Sequence, residues 1–208
     1  MKSIKGIYLP FLILISCTDA LGETKNFDGL SVYLSGSTNS TTIRQEYRNI
    51  DANLDGSGKN SFSGEFGIDY GLTLLSNYFV LLGATHSLNK LAADERSSNN
   101  FTTKFKDGWS IYAAPAIIRG DNHLVYLKVA YVSAQLQRTS DTFDYGNPKT
   151  HAGVGYGAGA RLFLNENIFV NMELMQSRYG KKTYDPDGLN VDFSAITTSG
   201  TIAVGYKF

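Results

Sequence analysis

Apolar side chains recur at every second residue through much of this chain, and small or polar residues fill the positions between them. Along residues 61–72, Phe62, Phe66, Ile68, Tyr70 and Leu72 share a parity with Gly64, and Ser63, Glu65, Gly67, Asp69 and Gly71 take the other. A strand sends alternate residues to opposite faces, whereas an amphipathic helix repeats its apolar residues at three and four, so the segment reads as a strand with one greasy face. Residues 27–37 repeat the pattern, with Leu30, Val32 and Leu34 opposed to Ser31, Tyr33 and Ser35. Further strands fall at 101–118, with Trp109, Ile111, Ala113 and Pro115 on one parity, and at 123–137, with Val125, Leu127, Val129 and Tyr131 opposed to Tyr126, Lys128 and Ala130. In 168–175, Ile168, Val170, Met172 and Leu174 oppose Phe169, Asn171, Glu173 and Met175. Residues 78–87 are apolar on both parities, so the pattern leaves the faces of this third strand unassigned.

Short turns fall near residues 76, 121 and 166, and long polar connections occupy 38–60, 88–100, 138–149 and 179–192. Within the first of these, Ile43 and Tyr47 are apolar exceptions, read as a strand extended beyond a membrane. The last strand, 196–208, ends the chain with Ile202, Val204, Tyr206 and Phe208 on its apolar parity. Short turns at one end, long loops at the other and an aromatic last residue are the pattern of a barrel in an outer membrane. The expected fold is therefore all-β: an eight-stranded antiparallel up-and-down transmembrane β-barrel, since hydrocarbon leaves a sheet no other way to satisfy its backbone.

Full charges interrupt the predicted strands at Glu65, Asp69, Lys128, Arg161 and Glu173, all on the small or polar parity. Inside an eight-stranded barrel side chains fill the lumen, so these five are expected to form an interior polar network, with Arg161 pairing Glu173 across adjacent strands. Its main role would be to fill the lumen and fix register. Residues 150–164 place Gly153, Gly155, Gly157 and Gly159 on one face, followed by Arg161. A dinucleotide loop needs its glycines between a strand and a helix. With a period of two, they read instead as a smooth inner wall that makes room for large groups from other strands.

The 208 residues suit one domain, and a formal net charge of zero gives no reason to expect nucleic acid as a partner. Many aromatics (13 Tyr and 12 Phe) and 21 glycines against 4 prolines fit a sheet-rich chain. Lys2 and Lys5, the apolar run 6–16 and Ala20-Leu21-Gly22 read as a signal peptide over 1–22, leaving 23–208 as the barrel domain. Cleavage there would remove Cys17, the single cysteine, and with it any disulfide. Leu14-Ile15-Ser16-Cys17 offers a rival reading, in which Cys17 is lipidated; both routes lead out of the cytoplasm. Three histidines, His86, His123 and His151, lie far apart, and His86 and Ser87 as strand neighbours point to opposite faces. No catalytic, metal-binding or cofactor-binding residue is assigned, and no cofactor is expected.

Ala114-Pro115-Ala116, Gly155-Tyr156-Gly157-Ala158-Gly159, Gln176-Ser177-Arg178 and Gly205-Tyr206-Lys207-Phe208 resemble, in order and spacing, the OmpX/Ail family of small outer-membrane barrels. The likeness covers about half the chain, from the fourth strand onward. It implies a monomeric eight-stranded barrel in the bacterial outer membrane, surrounded by membrane lipid and lipopolysaccharide. It also implies assembly by the barrel-assembly machinery through the C-terminal strand. The implied role is non-enzymatic: adhesion, binding of host surface or serum proteins, or envelope integrity, carried by the loops. A small-solute, porin-like pore and a lipid A-modifying enzyme are the alternatives.

Overall fold

A computed structural model describes residues 27–47, 52–57, 60–75, 77–96, 101–139, 147–185 and 190–208. The expected leader at 1–22, Cys17 included, lies outside the described residues. The strands are β1 (Gly29–Tyr47), β2 (Ala52–Ser57), β3 (Ser61–Leu75), β4 (Tyr78–Ser87), β5 (Leu91–Arg96), β6 (Phe101–Arg119), β7 (His123–Thr139), β8 (Lys149–Phe163), β9 (Ile168–Tyr184) and β10 (Val191–Lys207). Every pairing among them is antiparallel, and β10 returns to β1 over a ladder from Ser31↔Lys207 to Tyr47↔Val191, which closes the sheet on itself.

β2 and β5 are not additional staves. Along β1, Asn39↔Ser61 of β3 is succeeded by Thr42↔Ser57 of β2. Along β6, His86↔Trp109 of β4 is succeeded by Leu91↔Phe105 of β5. The ring therefore has eight staves, two of them broken near their outer ends. Stretches expected to be polar loop at 38–47, 52–57, 91–96 and 179–184 are strand instead. Alternation persists in the first of these at a polar level: Thr41, Ile43 and Gln45 are buried while Thr42 and Arg44 are exposed. Beyond the hydrocarbon a strand needs no greasy outer face, so its usual signal disappears although its ladder continues.

The barrel is inside out relative to a soluble domain. Leu127, Val129, Ile111, Val154, Met172, Ile202 and Val204 are exposed on the outer wall, forming a continuous apolar belt. Lys128, Arg161 and Asp69 are buried within. In water such a belt would be a large uncovered patch; against lipid it is the covered face. β4, ambiguous in sequence, turns Phe79, Leu81, Gly83 and Thr85 inward and Tyr78, Leu82 and His86 outward. Its inner face is greasy because the lower lumen is packed with aromatic rings.

Inward glycines are sockets for those rings. A Cβ built on Gly67 would lie 2.1 Å from Cζ of Tyr33, on Gly205 2.2 Å from Cζ of Phe169, and on Gly159 2.4 Å from Cζ of Tyr126. At Gly159 the backbone oxygen of Met172 is also only 2.6 Å away, so Tyr126 alone cannot relieve the clash. Gly159→Val is expected to destabilise the barrel by about 1–3 kcal/mol, the usual range for overpacking. Gly200→Ala, whose Cβ would meet nothing nearer than 3.5 Å, is the control. Urea unfolding in phospholipid vesicles checks this, and equal midpoints for the two variants would refute the socket role.

Candidate functional site

Below the middle of the lumen, Phe27, Phe79, Phe163 and Phe169 form an aromatic floor, with Phe27 and Phe163 edge-on at 5.2 Å. Above it Arg161 reaches across from β8 to Asp69 on β3, Nη1 to Oδ1 at 3.1 Å and Nη2 to Oδ2 at 2.5 Å. The Tyr112 hydroxyl donates to Asp69 Oδ2 at 3.0 Å, and Tyr33 and Tyr112 share a hydrogen bond at 3.1 Å. The Arg161 guanidinium lies 4.1 Å from the centre of the Phe169 ring. The pair is forked and doubly bonded, and a phenol meets Asp69 as well, which offsets much of the cost of burying it, while the Arg161 Nε is left without a hydrogen-bond partner among the described residues.

A second pair stands beside it. Lys128 Nζ donates to Glu173 at 3.0 and 3.1 Å, and Tyr126 donates to Glu173 Oε2 at 2.9 Å while accepting from Asn171 Nδ2 at 2.9 Å. Lys128 belongs to β7 and Glu173 to β9, with β8 between them. Their ladder partners on β8 are Gly157 and Gly159, which carry no side chain to keep them apart. The expected Arg161–Glu173 pair is thus not formed. Arg161 lies opposite Asn171 in the β8–β9 ladder, and its long side chain finds Asp69 on the far wall, while Glu173 finds Lys128 over the glycine strip.

Glu65, the fifth predicted lumen charge, joins neither pair. Its side chain lines a cavity of about 90 Å³ whose wall also holds Lys128, Glu173 and eight serines and threonines, alongside apolar groups such as Phe105 and Val132. Farther out, a second apolar cluster of Ile43, Phe105, Leu136, Tyr184, Val191 and Phe193 fills the barrel. Phe105 and Leu136 lie in strands expected from the sequence, but Ile43, Tyr184 and Val191 fall within stretches expected to be polar connections.

His151 sits in this upper cluster, 1% exposed. Its Nδ1 is 3.0 Å from the Gly180 carbonyl oxygen, so Nδ1 carries a hydrogen; Nε2 is 3.2 Å from the Tyr184 hydroxyl, which is also 3.2 Å from the Leu136 carbonyl oxygen. Burial, helped by Lys182 and Lys149, pushes the imidazole below its usual value of 6.5, against the opposing Gly180 bond. Burial likewise pushes Tyr184 up to about 12, so its phenol stays neutral. The folded barrel therefore holds His151 neutral where the unfolded chain takes up a proton. The stability this contributes is complete above about pH 6.5 and is lost as pH falls through the lower folded value. Wild-type barrels are expected to unfold at lower urea at pH 5.5 than at pH 7.5, and His151→Gln to flatten that slope. An unchanged slope would show that His151 does not carry it.

The other histidines stand apart: His86 faces outward and His123 is exposed beside the β6–β7 turn. Among the described residues no three His, Cys, Asp or Glu side chains converge to hold a metal. At the C-terminus Ile202, Val204, Tyr206 and Phe208 all face outward, with the Tyr206 and Phe208 rings edge-on at 5.1 Å. The Phe208 amide donates to the Leu30 carbonyl at 2.8 Å, which carries the closing seam to the last residue.

The family model described as outer membrane protein beta-barrel domain matches residues 13–208. No curated protein matches the sequence. Among solved structures, the attachment invasion locus protein Ail of Yersinia pestis is 14% identical, over 87% of this chain and 99% of that one, with a TM-score of 0.50. The outer membrane protein OprG from Pseudomonas aeruginosa is 13% identical, over 89% and 99% of the two chains, with a TM-score of 0.51. At such identities the likeness is one of fold.

Proposed function

Since this chain belongs to the outer membrane protein beta-barrel domain family, we propose that it is a non-enzymatic protein of the bacterial outer membrane that acts through its outer loops. Adhesion, host-factor binding and support of the envelope are the roles this architecture suits. The observation that carries the reading is the doubly filled lumen. An aromatic floor with two buried ion pairs blocks the lower half, and the Ile43–Phe193 cluster fills the upper. A wall filled at two levels is a pedestal rather than a conduit. Strands that continue beyond the apolar belt lift the loops clear of the lipid, and loops on a rigid scaffold are where binding residues diverge freely. Fold alone does not decide catalysis. Against it stands His151, whose two ring nitrogens face Gly180 and Tyr184 rather than a nucleophile.

Residues 1–22 act as the export leader in this reading. The outward strip Ile202, Val204, Tyr206 and Phe208 is what the barrel-assembly machinery receives, and the barrel then stands as a monomer among lipid and lipopolysaccharide. Two experiments test the function. In planar bilayers the refolded protein is expected to give no stable ohmic steps; regular steps would establish a pore instead. Bacteria displaying the barrel should bind host cells or serum proteins, or resist envelope stress, better than bacteria lacking it. Replacing the loops by short turns should abolish that gain while leaving a folded barrel. A gain that survives loop removal would overturn the proposal.

A further inference from the structure

The lumen within the apolar belt carries an uneven charge. Its inward charged side chains are Glu65, Asp69 and Glu173 against Lys128 and Arg161. Arg161 is committed to Asp69 through two bonds, and Lys128 to both oxygens of Glu173. One carboxylate is left over. The Glu65 backbone oxygen accepts from Ser35 Oγ at 3.4 Å, but its carboxylate has no hydrogen bond or ion pair with any described residue. An uncompensated carboxylate in a lumen surrounded by hydrocarbon is costly and is ordinarily met by a counter-charge.

Space for that counter-charge exists. The cavity of about 90 Å³ that Glu65 lines also presents Ser63, Thr85, Ser87, Ser110 and Thr197, and such a volume admits more than one water-sized species. We propose that this cavity binds one monovalent alkali cation, held by the Glu65 carboxylate and by hydroxyl and water oxygens. Oxygen donors are hard ligands that suit alkali and alkaline-earth ions rather than transition metals. A single available carboxylate balances a single charge, and the Lys128 ammonium in the same cavity wall disfavours a divalent ion. The site would set the stability of the barrel by the salt it meets. It stands whatever the loops bind.

The test is urea unfolding of the vesicle-embedded full-length barrel in sodium, potassium or N-methylglucamine chloride at one ionic strength. The alkali salts are expected to raise the midpoint over N-methylglucamine, by an amount that grows with the logarithm of the cation concentration. Glu65→Gln should remove that difference. Glu46→Gln, at an exposed carboxylate bound to Lys181 beyond the belt, should keep it. No difference in the wild type would overturn the site, because the carboxylate would then be met by a proton or water. A difference that survives in Glu65→Gln would also overturn it, by placing the ion elsewhere. Should Glu65→Gln fail to fold, sodium-23 line broadening by the wild-type barrel decides: broadening relieved by potassium supports the site, and none refutes it.

Discussion

Arg161→Ala is expected to destabilise the barrel by about 3–5 kcal/mol, because it strips the partner from a buried carboxylate instead of removing a pair. Asp69, 1% exposed, would keep the Tyr112 hydrogen bond at 3.0 Å but lose both guanidinium contacts. The Phe169 ring would lose the cation 4.1 Å from its centre as well. Arg161→Met combined with Asp69→Leu should recover most of the loss, since two apolar groups of similar size need no partner. Urea unfolding in vesicles, followed by electrophoretic mobility without boiling, measures both. A single variant within about 1 kcal/mol of wild type would mean that the pair is screened by water and that the lumen is wetter than its packing implies.

Leu127→Arg is expected to cost about 2–4 kcal/mol, the penalty for arginine on a lipid-facing wall near mid-membrane. Its neighbour makes the comparison sharp. Leu127 is 65% exposed on the outer wall, and Lys128, one residue on, is 6% exposed within. The same charge is thus tolerated at one position and penalised at the next, which only a wall between two opposite media can produce. Refolding yield and urea midpoint in vesicles report the effect. An unperturbed Leu127→Arg barrel would place β7 outside the hydrocarbon.

Alternation made eight staves legible because lipid and lumen differ most within the belt. At β4 the contrast failed, since Phe79 and Leu81 pack against the aromatic floor while Tyr78 and Leu82 face lipid. Beyond the belt it faded altogether, so β2 and β5 and the outer ends of β1 and β9 read as loop. β6 was legible as a strand from residue 101, but its change of faces was not. Asp107 adopts a positive φ of 49° at a register shift between Lys106 and Trp109, and the bulge exchanges the two parities. Phe105 consequently turns inward to the upper cluster, although it shares the parity of the outward Trp109.

The candidate site divides along the same line. That Glu65, Asp69, Lys128, Arg161 and Glu173 share the lumen-side parity is readable residue by residue. Who pairs with whom is not, because Arg161 and Asp69 are 92 positions apart and meet only when the sheet closes. The Lys128–Glu173 pair needs two strands joined across the Gly157–Gly159 strip, a relation no single ladder contains.

Trp109 tests the central claim without any label. It is the one tryptophan in the chain, it lies outward beside Tyr131 with ring centres 5.5 Å apart, and it is 42% exposed at the outer rim of the belt. In vesicles of lipids brominated along their acyl chains, a sheet rolled shut with its greasy side out predicts blue-shifted emission, strong bromine quenching and little quenching by aqueous iodide. Red-shifted emission, quenched by iodide and indifferent to bromine, would contradict it.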